Sequence, residues 1–163
     1  MDVPALSMDE SLVRAFFCPE QHDGSVFLNN AVSLDDLKER GFSVDRPLLT
    51  PMSVLLHRLR TQRASNPTQR EQPKFSELFY EKLLNDTDTD TGKPLFEVLV
   101  TPVELSDKGP ENRGHASVFS ADRSLGRGGL RKIRTALLIH LNNIVELGTL
   151  PYIGDADPQE IFN

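Results

Sequence analysis

His115 is the side chain in this sequence best suited to moving a proton, because an imidazole titrates near neutrality. It lies in Asn112-Arg-Gly-His-Ala-Ser-Val-Phe119, where a loop runs into a strand-like stretch. A general base also needs an orienting partner and a substrate within hydrogen-bond reach. Asn112 and Arg113 are its sequence neighbours, and no acid can be assigned to it. A histidine that ends a strand and bonds to backbone is the competing reading. Further on, Gly126-Arg-Gly-Gly-Leu-Arg-Lys-Ile-Arg134 is a glycine-rich basic turn at the start of a helix. Free backbone N–H groups there favour negative charge. Arg127, Gly128, Gly129, Arg131 and Lys132 are therefore a candidate anion- or partner-binding set. Their spacing matches neither Gly-x-x-x-x-Gly-Lys-Ser/Thr nor Gly-x-Gly-x-x-Gly after a strand, so a solvated basic helix face competes with it.

Other chemistry is poorly served. His22, His57 and His140 make no metal-ligand spacing with His115. Asp86-Thr-Asp88-Thr-Asp90-Thr-Gly92 with Glu97 resembles a calcium loop, but its glycine is one place late and a strand-like run follows where a helix is required. A solvated acidic turn is the reading there. Cys18, beside Pro19 in an apolar run, has no local base to activate it. No Ser-His-Asp order or nucleophile elbow occurs. The expectation is no metal and no cofactor.

The elements that position these groups fit one α+β domain over residues 1–163, with a small mixed or antiparallel sheet and three or four helices. Leu12 to Cys18 reads as a strand or short helix, and Val26-Phe-Leu28 as a brief strand. Ser33 to Gly41 carries helix punctuation, and Phe42-Ser-Val-Asp-Arg46 alternates as a half-buried strand does. Thr50-Pro51 predicts a cap and first helical residue, with Met52, Leu55, Leu56 and Leu59 on the apolar side. Residues 64–74, polar with two prolines, predict a mobile loop, and Phe75 to Leu84 a helix. Pro94 to Pro102 reads as a strand paired with Ala116 to Phe119. Leu130, Ile133, Leu137, Leu138, Leu141, Ile144, Val145 and Leu147 predict a long C-terminal helix, ended by Gly148, and 154–163 a loose acidic tail.

Net charge is −6, which disfavours nucleic acid. It is unevenly placed: Asp86 to Glu111 holds seven acids against Lys93 and Lys108, whereas Arg123 to Arg134 holds five bases and no acid. No uncharged apolar run is long enough to span a membrane. The N-terminus lacks a secretory pattern, and the lone Cys18 suits a reducing, cytoplasmic setting.

Three pieces in order, Arg14…Pro19-Glu-Gln…Asp23-Gly24…Ala31, then Gly41-Phe-Ser-Val-Asp-Arg46…Leu49-Thr50, then Asn112-Arg-Gly-His-Ala116, resemble a group of small bacterial proteins of no assigned activity. That group has leucine where this chain has Phe42 and proline-alanine where it has Arg113-Gly114. The likeness implies one fold unit and a bacterial cytosolic origin. The chain is also faintly similar to NAD-dependent ADP-ribosyltransferases, which pair an early strand arginine with a later strand serine and a catalytic glutamate. That resemblance implies Arg14 and Ser43 for the first two roles, with no glutamate placed. Two expectations follow. One is a bacterial cytosolic accessory protein that binds a larger protein partner and has no catalysis of its own. The other is a small nucleotide- or NAD-binding enzyme of ADP-ribosyltransferase type using Arg14, Ser43, His115 and the basic turn.

Overall fold

A computed structural model describes all residues, 1–163. The chain forms one six-stranded antiparallel sheet with helices on both faces. In chain order the elements are β1 (Ser11–Pro19), β2 (Phe42–Asp45), α1 (Met52–Ser65), β3 (Arg70–Phe79), α2 (Tyr80–Asn85), β4 (Phe96–Val100), β5 (His115–Ser120), α3 (Arg127–Leu141) and β6 (Ile144–Val145). The strands lie side by side as β4-β5-β2-β1-β3-β6. The α+β class and the C-terminal helix follow the sequence reading, and the sheet is antiparallel throughout.

Side chains alternate across a strand, and β1 uses both faces. Leu12 joins one buried cluster with Phe42, Val44, Val118 and the α3 residues Leu130, Ile133, Leu137 and Leu141. Val13, its neighbour, joins a second cluster with Met52, Leu55, Leu56 and Leu59 of α1. The sheet therefore separates an α3 layer from an α1 layer.

Several local expectations are corrected. Residues 64–74 are not a loop: α1 runs to Ser65, a turn follows, and β3 begins at Arg70. Pro73 is tolerated because β3 pairs there only with β1; β6 reaches only Phe75 and Ser76. Phe75 and Leu78 would share one side of a helix, but in β3 their spacing of three sends Phe75 to the α1 layer and Leu78 to the α3 layer. Only the end of the expected helix is helical, as α2. At Asp36–Arg40 the helix expected from Ser33 is a single π-type turn. Val26 to Leu28 contributes one isolated bridge, His22 to Phe27, and no strand.

Helix α1 begins one residue later than its cap signal implies, with Pro51 at the N-cap. The Thr50 hydroxyl donates elsewhere, as shown below. Helix α3 stops at Leu141, not at Leu147. The Ser76 hydroxyl donates to the Leu141 carbonyl at 2.6 Å, and Asn143 exchanges bonds with the Glu77 backbone in both directions. Asn142-Asn143 thus ends the helix, and Ile144-Val145 cross to pair with β3. The tail is docked: Pro158–Phe162 forms a 3-10 turn, Ile161 is buried in the α1 layer, and the Arg63 guanidinium lies 4.9 Å from the Phe162 ring centre.

Candidate functional site

Strands β1 and β2 pair at only one position, Val13 opposite Asp45. Beyond it no further pairing joins them, and Arg58 and Gln62 of α1 border the space between. The result is a cleft of about 360 Å³, lined by Arg14 from β1, Ser43 and Asp45 from β2, Arg58 and Gln62 from α1, and His115 from β5. His115 reaches it because its register partner across β2 and β5 is Asp45.

A buried polar network holds one wall. The Asp45 carboxylate, 2% exposed, receives two bonds from Arg58 at 2.9 and 2.7 Å, one from the Tyr152 hydroxyl at 2.8 Å and one from the Asn112 amide at 3.2 Å. Burial pushes the Asp45 carboxyl up, but the Arg58 charge and the donated hydrogen bonds outweigh it and hold it below the usual carboxylate range. Burial, followed by the Asp45 charge, pushes the Tyr152 phenol well up. The Asn112 side-chain oxygen in turn accepts from Thr50 Oγ1 and from the Gly114 amide. A Cβ on Gly114 would collide with Thr50 Oγ1 and stand 2.6 Å from the Arg46 carbonyl oxygen. The neighbouring Arg46 is buried against Glu10 and ties down the N-terminal segment through the Pro4 and Ala5 carbonyls.

The cleft's other charges are also matched, with one exception. Glu20 and Arg70 form a two-point pair, and Asp36 pairs with Arg40 at 3.0 Å. Arg14 takes part in no ion pair. Its Nη1 donates to the Ser43 carbonyl at 2.8 Å, its guanidinium lies 4.2 Å from the Phe42 ring centre, and its Nε is buried with no partner. Burial and then the nearby Arg58 charge lower its pKa to about 10, which leaves it cationic at neutral pH. A buried donor without an acceptor is costly; Nη2, which makes no bond within the protein and is not sealed off, is the donor left to meet an oxyanion in the cleft.

His115 has the orienting partner that no sequence neighbour supplies. Its Nδ1 lies 2.7 Å from the Thr101 carbonyl and 2.9 Å from Thr101 Oγ1, which is 2.8 Å from Ser117 Oγ. A carbonyl only accepts, so Nδ1 carries the proton and Nε2 of the neutral ring is an acceptor. Burial is the largest influence on the ring and depresses its pKa. As pH falls below about 6.5, the unfolded chain therefore takes up this proton before the folded one does. Stability should drop through that range, and His115→Gln should flatten the drop. Urea unfolding of both proteins at pH 7.5 and 5.5 checks this; equal slopes would contradict it.

The structure brings Arg14, Ser43 and His115 together in one cleft. Ser43 positions Arg14 with its carbonyl, while its side chain stays exposed. Arg127, Gly128, Gly129, Arg131 and Lys132 belong to α3, whose apolar side packs on the other face of the sheet. They do not share the cleft. The acidic turn is closed on itself: Asp88 Oδ1 accepts from the Asp90 and Thr91 amides, and no group of three His, Cys, Asp or Glu side chains is placed to hold a metal. Cys18 is half-buried, with its thiol pushed up by burial. His22 is buried against Phe16 and Phe27 and accepts from the Gly24 amide.

Sequence reasoning missed Asp45, Arg58 and Tyr152 as site residues. The alternation of Phe42 to Asp45 places Asp45 opposite the apolar face, where a strand with one covered side would leave it solvated; α1 covers that side too. Tyr152 arrives from 107 positions away and gives no local signal. Comparison of the chain with protein-family models, with curated proteins and with solved structures finds no match.

Proposed function

We propose that this protein binds a small oxyanion, a phosphate monoester or a carboxylate, in the cleft between β1, β2 and α1, with Arg14 as its principal ligand. The observation that supports this is the charge pattern: each neighbouring cation in the cleft has a carboxylate partner, and Arg14 alone has none while its Nη2 makes no bond within the protein. A planar guanidinium suits either anion, through two parallel hydrogen bonds. The cleft volume is near the small end of ligand pockets, about 300–1,000 Å³, and suits a small anionic group.

The reading stops at binding. Glu20, the glutamate in the cleft, is held by Arg70 at two points, so no free carboxylate stands ready for the catalytic role that the ADP-ribosyltransferase likeness implies. A second reading rests on α3: Arg127, Arg131 and Lys132 are exposed and in no ion pair, a surface for an acidic protein partner. Lone Cys18 supports placing either activity in a reducing bacterial cytoplasm.

Titration calorimetry with inorganic phosphate and acetate tests the first reading. At least one should bind the wild-type protein, and Arg14→Gln should weaken that binding about tenfold or more, as expected for loss of a charged hydrogen bond. An unchanged affinity in Arg14→Gln, with Arg131→Glu abolishing it, would move the site to α3.

A further inference from the structure

Two cavities meet at His115. Beside the anion cleft, a groove of about 300 Å³ runs between α1 and the loop joining β4 to β5. Arg58, Gln62 and His115 line both, so one row of side chains divides them. Their chemistry differs. The cleft is walled by charged groups, whereas the groove presents Val54 and His57 from α1 facing Val103 and Pro110 from the loop. A groove lined by an imidazole and aliphatic carbon suits a flat ring, which stacks without needing a particular sequence of donors.

The dividing row also carries unused hydrogen-bonding groups. The Gln62 side-chain amide bonds to nothing in the protein; only its backbone carbonyl is engaged. It offers both donors and an acceptor. His115 offers Nε2 as an acceptor because Thr101 holds Nδ1. A ring with both ring-nitrogen acceptors and N–H donors on its edge matches that pair, and a plain hydrocarbon ring would leave it unsatisfied.

We infer that the ligand is bipartite, a nucleoside monophosphate: its phosphate on Arg14 in the cleft and its base in the groove between α1 and the β4–β5 loop, with Gln62 and His115 at the junction. This rests on the oxyanion reading above and adds the body that carries the anion.

The test measures binding of inorganic phosphate, ribose 5-phosphate and the four ribonucleoside monophosphates to the full chain. At least one nucleotide should bind about tenfold or more tighter than ribose 5-phosphate, the advantage expected from stacking one base. Thr61→Trp on α1 and Val103→Trp on the loop fill the groove from opposite walls. Both positions are exposed, and the Thr61 hydroxyl bonds only within its own helix. Each variant should remove the nucleotide's advantage and leave ribose 5-phosphate binding unchanged. Equal affinity for nucleotides and ribose 5-phosphate in the wild-type protein would overturn the inference alone, as would an advantage that survives both tryptophans. Binding of every phosphate that persists in Arg14→Gln would overturn the oxyanion reading and this inference with it; no binding of any phosphate would overturn the inference, and if acetate does not bind either, the oxyanion reading falls too.

Discussion

Asp45→Ala should cost this protein about 3–5 kcal/mol of stability, the range for removing one member of a buried charge pair. Three partners lose their acceptor at once: the Arg58 guanidinium, the Tyr152 hydroxyl and the Asn112 amide. In a domain of this size each kcal/mol moves the melting temperature by roughly 2–4 °C, so a fall on the order of 10 °C is expected. The sign of the effect depends on leaving partners behind. Asp45→Leu combined with Arg58→Met removes both charges and should recover a large part of the loss, because a buried ion pair exchanged for apolar groups is often close to neutral. Calorimetric melting of the single and double variants checks both statements. A single variant that melts within about 2 °C of wild type, under 1 kcal/mol on the same scale, would show that the network is not structural.

The second large effect concerns the α3 layer. Leu137 is fully buried and belongs to the cluster that holds Leu12, Phe42, Val118 and Ile133. Leu137→Ala should cost about 2–5 kcal/mol through lost burial and the cavity left behind. Ile139, two places on, is 68% exposed, and Ile139→Ala should be almost silent. The contrast within one helix separates packing from helix propensity, since both changes place alanine in α3. Denaturant unfolding of the two variants provides the comparison; similar losses would mean that α3 does not close the interior as the fold implies.

How much of this was readable from the chain depended on whether the signal was local. The α3 stripe from Leu130 to Leu141 is strongly periodic, so its existence and buried side followed directly. Its end did not, because Ile144 and Val145 continue the apolar spacing by chance of position while pairing as a strand with Phe75 and Ser76. The polar stretch Arg70-Glu-Gln-Pro-Lys74 has neither alternation nor β-branched residues; its extended form comes from the long register with β1. The same holds at the site. His115 announced itself by residue type, and Arg14 and Ser43 through a resemblance, yet what gives them meaning is relational. The one-residue register of β1 with β2, the pairing of every neighbouring charge and the arrival of Tyr152 are properties of three-dimensional placement.

The cleft account depends on Arg14 being an unfilled donor. The most direct measurement is the nitrogen-15 and proton resonance of the Arg14 Nε–H group during separate titrations with inorganic phosphate and with acetate, at least one of which must move it, assigned by its loss in Arg14→Lys. The account predicts that this resonance shifts and saturates, while those of Arg58 and Arg70, already paired with Asp45 and Glu20, stay nearly still. A static Arg14 signal, with shifts confined to Arg127, Arg131 or Arg134 on α3, would contradict it.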